Sequence, residues 1–126
     1  MHEIELKKSI VMLRDDGIMH IHLKPGAEME LSDAIIIVEA MGKIGKGKKF
    51  PVLIDAGEFV TIEKEVRVFS ASEESNIYTL ADAIAYCSFA QKLIADFYIK
   101  NNHPTVPTRA FANKEVAIKW LESLKK

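Results

Sequence analysis

Apolar positions along this chain follow two rhythms. One is unbroken or alternating and suits strands; the other recurs every three to four residues and suits helices. The stretch Phe50–Phe59, FPVLIDAGEF, sets the frame. Its Val52-Leu53-Ile54 run needs cover on both faces, as in the central strand of a largely parallel sheet. Pro51 is tolerated at the start of a strand, and Gly57 permits a sharp exit after Asp55. Upstream, Ile4–Leu13 and Ile18–Leu23 flank Asp15-Asp16-Gly17, whose Asp-Gly pair predicts a hairpin. Leu31–Ile44 reads as a helix with Leu31, Ala34, Ile35, Val38 and Met41 inward. The extra Ile36, Ile37 and Ile44 imply cover on a further side. Downstream, Thr61 caps a short helix over Ile62–Phe69, and Ser70–Asn76 is polar. Asp82–Cys87 reads as a second internal strand. Ser88 caps a helix over Phe89–Asn101, with Phe89, Leu93, Ile94 and Phe97 inward. Pro107–Ala112 is a strand nearer an edge, and Asn113 caps a last helix whose stripe is Val116, Ala117, Trp120, Leu121 and Leu124.

The order ββα–βα–βα–βα predicts a single α/β domain over residues 1–126. It calls for a mixed sheet of about five strands, an N-terminal hairpin followed by β-α units, with about four helices and right-handed crossovers.

Composition removes several functions. With 48% hydrophobic and 28% charged residues the chain is an ordinary globular one. A net charge of −1 gives no footprint for nucleic acid. No apolar run approaches the roughly 20 residues of a membrane span, and MHEIELKK is not a signal peptide. The single cysteine, Cys87, rules out an internal disulfide and points to a cytoplasmic setting.

Candidate chemistry is sparse. Gly42–Lys49 resembles a phosphate loop, but a helix precedes it and a strand follows, the reverse of what phosphate binding requires. Lys49 also stands where a magnesium-binding Ser or Thr belongs. A weak anion contact at Lys46, Lys48 and Lys49 is all that remains. His20 and His22 share one strand face, yet zinc needs three or four ligands and His2, His103 and Cys87 lie at no recognised spacing. No metal and no cofactor is expected. Cys87 precedes a helix start, where a thiolate would be stabilised, but a packed structural cysteine is the plainer reading. Ser88, Asp96 and His103 supply the residue types of a triad without a nucleophile elbow. Glu63, Glu65, Glu73, Glu74 and Asp82 read as lysine-paired or solvated. The set Tyr86, Phe89, Phe97, Tyr98, Phe111 and Trp120 reads as core, with a hydrophobic ligand cavity as the alternative. No catalytic residue is assigned, and the chain is expected not to be an enzyme.

The element order, VLIDAGEF as third strand and the ending PTRAFANKEVAIKWLESLKK resemble STAS-like domains. That fold class includes bacterial anti-sigma-factor antagonists and, more distantly, SEC14-type lipid carriers. Phosphorylatable members carry Asp-Ser-Ser-Gly at the next helix, where this chain has Ile62-Glu63-Lys64-Glu65, so the phospho-switch does not carry over. Thr61 is the nearest hydroxyl, with N-capping its plain role. The resemblance implies a regulatory or protein-interaction module binding near the ends of strands three and four, at Asp55, Gly57, Glu58, Thr61 and Ser88. Asp55 has its own plain role, accepting the turn's backbone N–H groups. The alternative is a carrier for a lipid or other hydrophobic ligand, held between Phe89–Asn101 and the sheet. Surplus isoleucines on the first helix imply a homodimer.

Overall fold

The computed structural model describes residues 2–124. Met1 and the closing Lys125-Lys126 of the C-terminal motif lie outside the described residues. In chain order the elements are β1 (Glu3–Glu5), β2 (Ser9–Leu13), β3 (Met19–Leu23), β4 (Glu28–Met29), α1 (Leu31–Ile44), β5 (Phe50–Ala56) and β6 (Thr61–Ile62). There follow α2 (Lys64–Ser70), β7 (Thr79–Ala85), α3 (Phe89–Asn102), β8 (Thr108–Phe111) and α4 (Lys114–Ser123).

The main sheet has six strands in the order β1-β2-β3-β5-β7-β8, and β4 pairs with β6 in a small ribbon. The expected count of about five fell short because Ile4–Leu13 is two strands. A tight turn, closed by Leu6 N–H donating to Ser9 O at 2.7 Å, folds β1 back on β2. The Asp-Gly hairpin forms as expected, with Gly17 at φ 81°. From β3 onward the pairing is parallel, so β5 runs through the middle with β3 and β7 beside it.

Alternation along β5 feeds two cores. Val52 joins Val11, Ile21, Ile37 and Met41 under α1. On the other face Leu53 packs with Ala81, Ala83, Ala117 and Leu121 under α4. The alanines of β7 let α4 come close, so a ten-residue helix seals that face. Asn113 accepts from Val116 N–H at 3.0 Å, and Ser88 accepts from Gln91 N–H at 3.1 Å, both as expected of N-caps.

Four other expectations fail. Thr61 caps nothing: it is exposed in β6, its N–H bound to Ala27 O, and α2 starts after Glu63. The ribbon with β4 outcompetes one more helical turn there. On α1 the buried face is Ala34, Ile37, Ala40 and Met41, rotated from the predicted stripe, so Leu31, Ile35 and Ile36 are exposed. On α3 the inward residues are Ala95 and Tyr98, whereas Phe89 is 71% and Phe97 55% exposed. Cys87 is exposed rather than packed.

Gly57 has a steric duty. A Cβ there would sit 2.6 Å from Pro25 Cγ and 2.8 Å from its backbone nitrogen. Gly57 N–H donates to Leu23 O, and Gly26 N–H to Glu58 O, so neither segment can back away freely. Gly57→Ala is expected to cost about 1–3 kcal/mol, read from urea unfolding. A shift below a few tenths would show that the two turns are not locked.

Candidate functional site

Between the sheet and the helices α1, α2 and α3 lies a cavity of about 180 Å³. Its walls are mainly aliphatic, with Ile21, Val52 and Ile54 from the sheet and Ile37 and Met41 from α1. From α3 it is lined by Gln91, Ile94, Ala95 and Tyr98, of which Ala95 and Tyr98 are buried.

One group on the cavity wall is anomalous. Along β7, Ala81, Ala83 and Ala85 turn to α4, which leaves Asp82 and Ile84 facing the cavity. Asp82 is 7% exposed. Its backbone N–H donates to Pro107 O, but its carboxyl has no hydrogen bond or ion pair among the described residues. Burial alone therefore raises its pKa from 3.8 to about 7. No side-chain polar atom among the described residues is sealed without a partner, so the carboxyl oxygens meet open cavity space. Tyr98 closes the cavity from α3. Burial, then the charge of Asp82, holds its phenol protonated well above the usual range.

A second cluster occupies the other sheet face. His20 and His22 on β3 flank Asp55 on β5, with His22 and Asp55 directly paired in register. His20 Nε2 lies 2.5 Å from Asp55 Oδ2, and His22 Nδ1 meets Oδ1. Lys114 Nζ, at the start of α4, stands 3.8 Å away. Burial works to raise the Asp55 carboxyl, but the histidine hydrogen bonds and charges together lower it to about 2. An ionised carboxylate only accepts, so both facing nitrogens carry hydrogen. Among the described residues no group of three or more His, Cys, Asp or Glu is arranged to hold a metal.

The comparisons with known proteins bear on family and fold. The model of a domain of unknown function, DUF7793, matches residues 11–125. The chain belongs to that family. It is similar in structure to an uncharacterised DUF3478-family protein with a SpoIIAA-like fold from Shewanella loihica PV-4. The TM-score is 0.59 at 16% identity, covering 96% of this chain and 95% of that one. That likeness assigns this DUF7793 domain a SpoIIAA-like, hence STAS-like, fold. A protein of unknown function from an Arthrobacter species (FB24) aligns at 22% identity and a TM-score of 0.31, over 89% of this chain and 97% of that one. No curated protein matches the DUF7793 chain.

Against this frame the residues named from sequence divide. Asp55, Gly57 and Glu58 leave β5, and Ser88 leaves β7, so they share one end of the DUF7793 sheet. Gln91 Nε2 ties the two exits by donating to Gly57 O at 2.9 Å. Their side chains do not converge. Asp55 bonds histidines instead of turn amides, Ser88 caps α3, and Glu58 and Thr61 point to solvent. Asp96 pairs with Lys92 at 2.8 Å, so no Ser88–His103–Asp96 triad assembles. Asp82, read as solvated or paired, is the cavity-wall residue that sequence reasoning missed. The signal was an acid flanked by alanines in an internal strand, which cannot be solvated there.

Proposed function

We propose that this protein is a non-catalytic, cytoplasmic binding module that holds a small, largely apolar ligand between α3 and the sheet. The cavity carries this reading. A cavity of roughly 150 Å³ with apolar walls accepts a benzene-sized molecule, so about 180 Å³ suits one ring or a short branched chain. A two-chain lipid would not fit inside. Regulation follows from the same element: α3 forms the inner wall and also turns Phe89, Leu93 and Phe97 outward. Those residues lie four apart, a single apolar stripe. The stripe favours the second reading, a protein-docking module, in which a partner covers α3 from outside.

Native mass spectrometry of the protein isolated from its own host tests the first reading. A retained molecule of ring size, lost on denaturation, is the expected result. Protein that is bare, yet copurifies with a stoichiometric partner that Phe97→Glu releases, would overturn it in favour of the second.

A further inference from the structure

We propose that the ligand of the α3–sheet cavity is a small apolar amine whose protonated head is held by Asp82. This rests on the ligand-binding reading above and adds the chemical class. Three observations converge. The walls around the cavity are mainly aliphatic, with Asn76, Thr79 and Gln91 among the polar exceptions, so the body of the ligand is largely apolar. One carboxyl, more than nine-tenths buried, faces that space without a hydrogen-bond or ion-pair partner among the described residues. Among the described residues no neighbour offers a cation that would neutralise it. Among the described residues Arg67 is the one cation on the wall, and its guanidinium donates to Ile62 O and lies over the Phe97 ring, 6.0 Å from its centroid.

The other titratable groups on the wall are Tyr98 from α3 and Tyr86 beyond β7, both phenols; α1 and β5 contribute none. A buried carboxyl left unpaired is costly, and a donor brought by the ligand removes that cost. An ammonium does so best because it adds charge pairing in a water-poor site. A carboxylate ligand would place like charges together. The raised pKa of Asp82 agrees with this: amine binding will draw the carboxyl to its ionised form and release a proton near neutral pH.

Matched probes that share one ring separate the head from the body. Benzylamine, benzyl alcohol, toluene and benzoate are titrated into the full chain at pH 7, followed by methyl NMR of Met41, Ile37 and Ile54 against Ile18 and Leu121 across the sheet. Benzylamine is expected to bind about tenfold more tightly than toluene, with benzyl alcohol between them and benzoate weakest. In Asp82→Asn, toluene binding persists while the amine preference falls to within about threefold. Equal binding of all four probes, or an amine preference unchanged in Asp82→Asn, overturns the amine assignment and leaves the ligand-binding reading standing. No shift of the cavity methyls with any probe means a cavity filled only by water, and both fall.

Discussion

Asp82→Asn will make the folded protein more stable at pH 8, by about 3 kcal/mol relative to its effect at pH 5. The folded-state pKa of Asp82 is raised from 3.8 to about 7. Between those values the folded protein holds a proton that the unfolded chain has lost. Stability therefore falls as pH rises from about 4 through 7. Each pH unit of that gap is worth about 1.4 kcal/mol, which sets an upper limit near 4. Asparagine keeps the shape without ionising. Whatever its amide costs in the cavity is the same at both pH values and cancels in the comparison. Urea unfolding of both proteins at pH 5 and 8 measures it. A difference that does not grow with pH would mean that the carboxyl is hydrated or paired in solution.

Asp55 has the opposite sign. Its folded pKa is lowered to about 2, so it contributes stability above about pH 4 that is lost as pH falls through 2. The two aspartates bracket a stability maximum near pH 4. Asp82→Asn should flatten the alkaline side of that curve and leave the acid side in place.

Much of the architecture was legible because burial leaves a mark on sequence. Val52-Leu53-Ile54 has no polar position, and only an interior strand accommodates that. Asp-Gly announced the hairpin, and Ser88 and Asn113 announced their helices, since their side chains bond backbone groups a few residues away. Errors came where distant partners decide. Thr61 looks like an N-cap until Ala27 claims its N–H. The three-to-four spacing of Phe89, Leu93 and Phe97 correctly marks one helix face but does not say which face meets the sheet. The candidate site was legible only in its neighbourhood. Asp55 was rightly set at the end of the central strand, but its histidine partners lie 33 and 35 residues away, and only register brings them together. Asp82 is buried because the strand around it is buried, a property of the sheet rather than of its neighbours in sequence.

Leu53→Ala will be the most damaging single truncation on the central strand, at about 3–4 kcal/mol. Leu53 is fully buried, and four of its companions are alanines: Ala81, Ala83, Ala85 and Ala117. Alanines have no side-chain length with which to swing into a void, so the hole persists and adds to the lost transfer energy. Across the sheet, Ile37→Ala should cost less, about 2 kcal/mol. Ile37 already borders the α3 cavity, so its outer atoms have fewer contacts to lose. The comparison separates a tightly packed face that carries stability from a loosely packed face left open for a ligand. Chemical denaturation of both variants at pH 5, where Asp82 is protonated, reads it directly. Equal costs would show that the ligand face is as solidly packed as the α4 face, and would remove the room on which the binding site depends.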